Sequence, residues 1–314
     1  MIIPKFKKGN ASDPANYRPI ALTCAICKIL ESIITSELLS FLLSHNLLSK
    51  SQHGFLKRHS TSTNLLETLN DWTISVSNHK SVIAAYIDFS RAFDVLSHSK
   101  IMHKLVSYGV TGNLLFWIQA FLSYRFQQVR INQSLSSPLP VLSGVPQGSV
   151  LGPLLFLIYI NDIADTFSSS VTVKLFADDI KMYTDFSMPT IGTNFQSHLN
   201  KILDWTILWQ INISYSKCTI FNLGTKDFTT TLSLSDHNLS SSASVKDLGV
   251  LFDSALSFNG HINEIVSRAN QRASLIIRSF LSRNTQSYQS LHSICSATSR
   301  IYLNGLVTFT YLSN

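Results

Sequence analysis

Two apolar segments of strand length, Val171–Ala177 and Ile180–Phe186, flank a pair of acids, Asp178 and Asp179. They read as the two strands of a hairpin with the acids at its tip. A third apolar β-type run, Ser81–Asp88, also ends on a carboxylate. If these strands are neighbours in one sheet, two or three carboxylates converge at its edge. Anions that close repel one another and are costly to desolvate, and a bound divalent cation removes that cost. Hard oxygen donors without His or Cys beside them suit Mg²⁺ or Mn²⁺. A pair of such ions about 4 Å apart serves phosphoryl transfer between nucleotides. Each acid also has an ordinary use: Asp-Asp is good turn chemistry, and an Asp closing a strand often caps the next helix.

The chain around these strands has the means to bury a sheet. Its 314 residues amount to roughly two domains or one large lobed one. Hydrophobic residues make up 45% and charged residues 14%, which excludes intrinsic disorder. With 25 Lys and Arg against 18 Asp and Glu, the net charge of +7 suits a polyanionic partner such as nucleic acid. The most apolar run, Leu154–Ile160, falls far short of the roughly 18 residues that span a bilayer. Lys5, Lys7 and Lys8 interrupt what would be the apolar part of a signal peptide. A soluble, intracellular chain with no membrane partner is expected. Cys24 and Cys27 have no second pair at zinc spacing and lie in an apolar helical pattern, so half-buried thiols are expected.

Ile26, Ile29, Leu30, Ile33, Ile34, Leu38, Phe41 and Leu42 recur at three- and four-residue spacing and predict a first helix. Further helices are predicted at about 63–77, 98–123, 190–209 and 261–283. The last places Ile262, Ile265, Val266, Ala269, Ala273, Ile276 and Phe280 on one stripe, with Arg268, Arg272 and Arg278 toward the other side. The turn Gly144–Gly148 opens a helix that is apolar on all sides, hence buried. Strands are predicted at 125–132, 137–142, 218–223 and 248–252, while the Ser/Thr-rich residues 225–244 read as loop. Few clean β-α-β crossovers are visible, which predicts an α+β fold with its sheet covered by helices on one face. Neither G-x-x-x-x-G-K-[ST] nor G-x-G-x-x-G is present, which disfavours two nucleotide-binding folds.

Ala85-Tyr-Ile-Asp88-Phe-Ser-Arg-Ala-Phe93-Asp94, Ser143-Gly-Val-Pro-Gln147-Gly148 and Phe176-Ala-Asp178-Asp179 resemble, in order and separation, motifs A, B and C of reverse transcriptases. Tyr17-Arg18-Pro19-Ile20, Gln52-His-Gly54-Phe55, Ser216-Lys217 and Lys246-Asp-Leu-Gly249 with His261 resemble further stretches of that family. The wording points to its non-LTR (LINE-type) retrotransposon branch, and the likeness runs from about residue 3 to 283. It implies a right-hand polymerase of fingers, palm and partial thumb. Residues 1–80 would be the fingers and first palm helices, 81–224 the palm with motifs A to D, and 225–314 the palm–thumb connection and partial thumb. Met1 falls almost on the first fingers motif and the familiar pattern ends near residue 284, so the resemblance implies truncation at both ends.

The activity so implied is that of an RNA-directed DNA polymerase, which joins deoxynucleoside triphosphates to a DNA primer on an RNA template with two divalent metals, Mg²⁺ or Mn²⁺. Asp88 and Asp178 would bridge the metals, with Asp179 beside them. Arg18 with Lys7 or Lys8 matches the cations that grip the incoming triphosphate, although a solvated basic loop has the same composition. Phe93 falls where the family sets an aromatic ring against the sugar 2′ position; a core Phe is its plainer use. Gln147 and Gly148 would meet the incoming nucleotide or template. Lys217 resembles the lysine that protonates the leaving pyrophosphate, and an exposed strand-end lysine fits as well. Arg268, Arg272 and Arg278 would face the duplex backbone, unless their helix is an amphipathic core helix. Two other readings are a catalytically inactive remnant that only binds nucleic acid and a different two-metal enzyme such as a phosphodiesterase. The intact set of three acids disfavours the first. A triphosphate grip, of no use to a hydrolase, disfavours the second.

Overall fold

The computed structural model describes residues 1–187, 192–224 and 230–279. β1 (Ile2–Phe6) and β2 (Tyr17–Ala21) form an antiparallel ribbon, followed by α1 (Ala25–Ser44) and α2 (Thr61–Ser77). Ser60 opens α2 with a capping box: its Oγ accepts from Thr63 N, and Thr63 Oγ1 accepts from Ser60 N. After β3 (Ser81–Ile87), the single helix expected over 98–123 is two, α3 (His98–Ser107) and α4 (Gly112–Leu122). Gly109 ends α3 at φ +85, donating its N–H to Val106 O, a termination that glycine provides at little steric cost.

The two strands expected over 125–142 are four short exposed pieces instead. β4 (Phe126–Gln127) pairs with β7 (Leu139–Pro140), and β5 (Arg130–Ile131) with β6 (Ser134–Leu135). Pro138 and Pro140 donate no ladder hydrogen bond, which keeps this excursion short. Then come α5 (Gly152–Ile160), β8 (Thr172–Phe176), β9 (Asp179–Phe186), α6 (Gly192–Trp209) and β10 (Thr219–Leu223). β11 (Ser233–Leu234), β12 (His237–Asn238), β13 (Ser240–Ser242), β14 (Ser244–Asp247), β15 (Val250–Asp253) and α7 (Asn259–Ser279) complete the described chain.

Five strands form the central sheet in the order β13-β10-β3-β9-β8, antiparallel except that β13 runs parallel to β10. The Ser/Thr-rich segment read as loop therefore supplies an edge strand, where hydroxyl side chains need no core. Along β3 successive residues face opposite ways. Ile83, Ala85 and Ile87 join α5 and α6 in one core. Val82, Ala84 and Tyr86 join a second core around Trp72 of α2. Trp72 is fully buried, with ring centroids 5.6–5.9 Å from those of Tyr183, Phe221 and Phe252. Both faces of the sheet are covered, not one; the unbroken apolar run of β3 carried that signal. Part of the second cover is the β14–β15 hairpin. Its two-residue turn is Leu248–Gly249, at φ +44 and +97, so the strand expected at 248–252 begins two residues later.

α5 is buried along its whole length, as its sequence predicts. Its N-terminus is met by Glu31 of α1, a buried acid whose Oε2 accepts from Val150 N (2.6 Å) and Leu151 N (3.1 Å). A carboxylate suits that end of the helix dipole. The rest of α1 departs from expectation. Leu38 and Leu42 are buried, but Ile26, Ile29, Leu30 and Ile33 are exposed, as are Cys24 and Cys27. α7 also departs: Ile262 and Val266 are exposed, whereas His261 is buried. Phe280 and the expected end of that helix lie outside the described residues. Among the described residues no helix is long and apolar enough to cross a membrane.

Candidate active site

Strand register brings the acids together. Ile87 pairs with Ile180, so Asp88, one residue past β3, stands beside Asp179 at the start of β9. Phe176 pairs with Asp179, which leaves Ala177 and Asp178 as a two-residue turn. Asp179 thus begins a strand instead of sharing the tip. On the other side of β3, a tight turn at Tyr215–Lys217 precedes β10. Lys217 Nζ donates to Asp88 Oδ1 at 2.8 Å, and Ser214 N donates to Asp88 O at 2.8 Å. Lys217 is about half exposed, yet it is tied to the acids, not merely solvated at a strand end.

Burial pushes the Asp178 carboxyl above its ordinary range, and the charge of Asp88 pushes the same way. A hydrogen bond from its own amide, Lys217 and Lys7 pull it back. Asp179 goes further, up to about 6, through desolvation first and then the charges of Asp178, Asp88 and Asp247. Its surface is exposed, so water screens part of this; repulsion among the acids is the part a cation would relieve. An unfolded Asp titrates near ~3.9. Between that value and about 6 the folded chain holds the extra proton, so stability falls as pH rises through this window. In metal-free buffer the melting temperature should fall from about pH 4 to about pH 6, and Asp179→Asn should flatten that fall. An identical profile in the variant would assign the titration to another group.

The turn that follows β7 is built against the segment Phe93–Leu96, downstream of Asp88, and against Ala21. Gly144 has φ +78, and a Cβ there would stand 2.5 Å from Asp94 O. Gln147 Nε2 donates to Asp94 Oδ1 (2.8 Å), and Gln147 O accepts from Ala21 N (2.7 Å). Gly148, at φ +117, leaves no room for a Cβ, which would lie 2.8 Å from Ala21 O. Gln147 therefore has its amide committed to Asp94, a partner that the sequence motif contains but does not reveal. Burial raises the Asp94 carboxyl as well. Phe93 is half-buried, stacked on Phe156 with centroids 4.2 Å apart and edge-on to Phe55 at 6.2 Å.

Lys7, Lys8 and Arg18 are exposed on the β1–β2 ribbon, where Arg18 lies opposite Lys5. Of these, the structure ties Lys7 to the acids through its effect on Asp178. Arg268, Arg272 and Arg278 are exposed on α7; Arg268 pairs with Glu264, and Arg278 lines a groove of about 800 Å³. A cavity of about 310 Å³ lies between the acids and the β14–β15 hairpin, lined by Tyr86, Asp88, Asp179, Lys217, Lys246 and Asp247 among others. Below it is a buried cluster that sequence reasoning missed: Lys181 Nζ pairs with Asp247 Oδ2, which also accepts from Tyr86 OH (3.2 Å). The available signal was a lysine set between Ile180 and Met182 in the apolar stretch of β9.

Among the described residues no three acidic, His or Cys side chains are grouped tightly enough to enclose a metal ion. The donors present are nevertheless all oxygen and repel one another. A Mg²⁺ held by one or two carboxylates takes its remaining ligands from water and substrate phosphates. The donor set fits such an ion.

The family of reverse transcriptases (RNA-dependent DNA polymerases) matches the chain over residues 3–252. The RNA-directed DNA polymerase from mobile element jockey of Drosophila melanogaster is 28% identical over 273 residues, covering 84% of this chain and 30% of that protein. The probable RNA-directed DNA polymerase from transposon X-element of the same fly is 26% identical over 261 residues, covering 82% and 29%. The chain therefore spans less than a third of the length of these relatives. Among solved structures, the telomerase of Candida albicans with a fragment of telomeric RNA superposes with a TM-score of 0.51 at 13% identity, covering 94% of this chain and 53% of that one. The apo telomerase of Candida tropicalis, truncated from its C-terminal domain, gives 0.52 at 12%, covering 78% and 52%. At such identities the likeness shows the fold, which is the right-hand polymerase fold. With that fold, the converging acids and a match running from the basic ribbon through the β14–β15 hairpin, the chain belongs to the reverse transcriptase family.

Proposed function

We propose that this chain is the core of an RNA-directed DNA polymerase of a mobile element, adding deoxynucleotides to a primer 3′-hydroxyl on an RNA template. The observation that carries the reading is the convergence of Asp88, Asp178 and Asp179 at one sheet edge, with Asp178 and Asp179 shifted toward protonation. Asp88 and Asp178 would hold two Mg²⁺ or Mn²⁺ ions, with Asp179 beside them. When bound, the ions would lower the pKa of the primer hydroxyl and neutralise charge on the leaving pyrophosphate.

The chain's own groups supply the rest. Lys217 is the counter-ion of Asp88 and carries a proton that the leaving pyrophosphate can take up. Lys7, Lys8 and Arg18 hold the triphosphate, and their charge counts most where negative charge builds in the transition state. Asp94 fixes Gln147, so the Gly148 backbone meets the nucleotide or template as a rigid surface. The arginines of α7 follow the duplex backbone. In this reading residues 1–80 act as fingers, 81–224 as palm and the chain beyond as palm–thumb connection and thumb.

Phe93 excludes the ribose 2′-hydroxyl. Phe93→Ala is expected to raise the kcat/KM for ribonucleotides relative to deoxynucleotides by roughly 10²-fold. Phe93→Leu, which keeps more of the packing on Phe156, is the control for core damage. An unchanged ratio in both would leave Phe93 a core residue only. The test of the whole reading is primer extension on poly(rA)–oligo(dT) with Mg²⁺ or Mn²⁺, beside a duplex-binding assay. Extension supports the polymerase; duplex binding by a folded chain without extension would make it a remnant.

A further inference from the structure

We infer that Gln52 is a positioning residue for the turn that carries Asp178. The segment Ser51–His53 lies against β8: Leu175 N donates to Ser51 O (2.8 Å), and His53 N donates to Leu175 O (2.9 Å). Asn64 Nδ2 donates to the same Leu175 carbonyl at 3.2 Å. This pairing carries the Gln52 side chain, 3% exposed, under the tip of the β8–β9 hairpin. There Gln52 Oε1 accepts from Gly54 N (2.7 Å) and Ala177 N (3.0 Å). Both partners are N–H donors, so the amide oxygen must face them and the orientation is unambiguous.

The contact is specific to the turn. The hairpin ladder pairs Phe176 with Asp179 and makes no use of the Ala177 N–H. Ala177 sits at φ +54, a conformation that residues with a Cβ rarely adopt. The two-residue hairpin calls for a positive φ at this first turn position, alanine takes it less readily than glycine, and the Gln52 oxygen holds the Ala177 N–H in that geometry. Gly54 lets the two backbones close on one another, since a Cβ there would lie 2.4 Å from Ala177 N. Asp178 is the next residue in the chain. Without the acceptor, the Ala177 N–H would be buried and unpaired, and the turn would shift to relieve it. The Asp178 carboxylate would move with the turn, away from its place beside Asp88.

The kinetic part of this inference rests on the polymerase reading; the structural part does not. Gln52→Met keeps the volume and removes the acceptor. Hydrogen exchange at Ala177 is expected to quicken by about tenfold or more while β3 amides keep their protection. Mn²⁺ binding, followed by calorimetry, should weaken several-fold. In extension assays kcat should fall by roughly 10²-fold, with little change in the KM for nucleotide or in duplex affinity. Gln52→Glu retains an oxygen at the same place and should restore slow exchange. Unchanged Ala177 exchange and Mn²⁺ affinity in a folded Gln52→Met chain would overturn the inference. So would a general loss of protection across β3, β9 and β10 in both variants, which would assign Gln52 to the fold at large. If the unmodified chain fails to extend primers while exchange and Mn²⁺ binding shift as stated, the positioning role stands and the polymerase reading falls.

Discussion

Asp178→Asn is expected to abolish primer extension, with a loss on the order of 10³-fold or more, and at the same time to raise the melting temperature of the metal-free chain. The two effects have one cause. The Asp178 carboxyl is raised by burial and by the charge of Asp88, so its ionised form is less favourable in the folded chain than in the unfolded one. At neutral pH an amide of the same shape removes that repulsion, which stabilises the fold. It also removes the charge that would hold the cation. Mn²⁺ should therefore raise the melting temperature of the wild-type chain by mass action and that of the variant far less. Retained extension in the variant would move the chemistry elsewhere. A lowered melting temperature would mean that the hydrogen bonds of Asp178 outweigh the repulsion.

Asp247→Leu is expected to cost about 3–5 kcal/mol of folding stability, read as a lowered urea midpoint. Lys181 is 3% exposed, and burial lowers its pKa even with Asp247 opposing the shift. Its ammonium donates to Asp247 and to Asn64 Oδ1 (3.2 Å), with the Trp72 ring centroid 6.0 Å away. Removing the carboxylate strands a cation in the second core. The pair joins β9, two residues past Asp179, to the β14–β15 hairpin, so loss of one partner loosens the wall of the cavity beside the acids. Lys181→Met with Asp247→Leu removes both charges and should recover most of the loss. A single variant that costs under about 1 kcal/mol would show that water reaches the freed ammonium.

The strand and hairpin acids were legible because they obey a local rule: an apolar strand-length run, then a carboxylate. Their convergence followed from pairing β3 with β9, which the apolar run of β3 invites. Lys217 was legible only as a resemblance, and its contact with Asp88 was not legible at all, since nothing near Lys217 in sequence points to a residue on a distant strand. Gln52 showed the limit in another way. Its segment matched the family, but a glutamine in a polar loop gives no sign that it is buried under a turn far along the chain. Lys181–Asp247 and Gln147–Asp94 were missed for the same reason, because partners in three dimensions leave no periodicity. The α1 and α7 stripes failed differently: their spacing predicted helices correctly but not which faces the described chain covers. Gly109 and the Leu248–Gly249 turn were missed signals that lay in plain view, each a glycine where an element changes direction.

The order of strands in the sheet has a consequence for how this protein is made. β3 sits between β9 and β10, and its Ile87 and Tyr86 pair with Ile180 and Thr219. A chain leaving the ribosome therefore exposes Ser81–Ile87, apolar on both faces, with both edges unpaired until synthesis has passed Phe186 and one edge unpaired until it has passed Leu223. Pairings between such distant segments form slowly, and an open apolar strand is the usual seed of aggregation. Asp88 lacks Asp178 and Asp179 for the first part of that interval and its counter-ion Lys217 for nearly all of it. A translation product interrupted before β9 would be a burden on chaperones, with its acids never brought together.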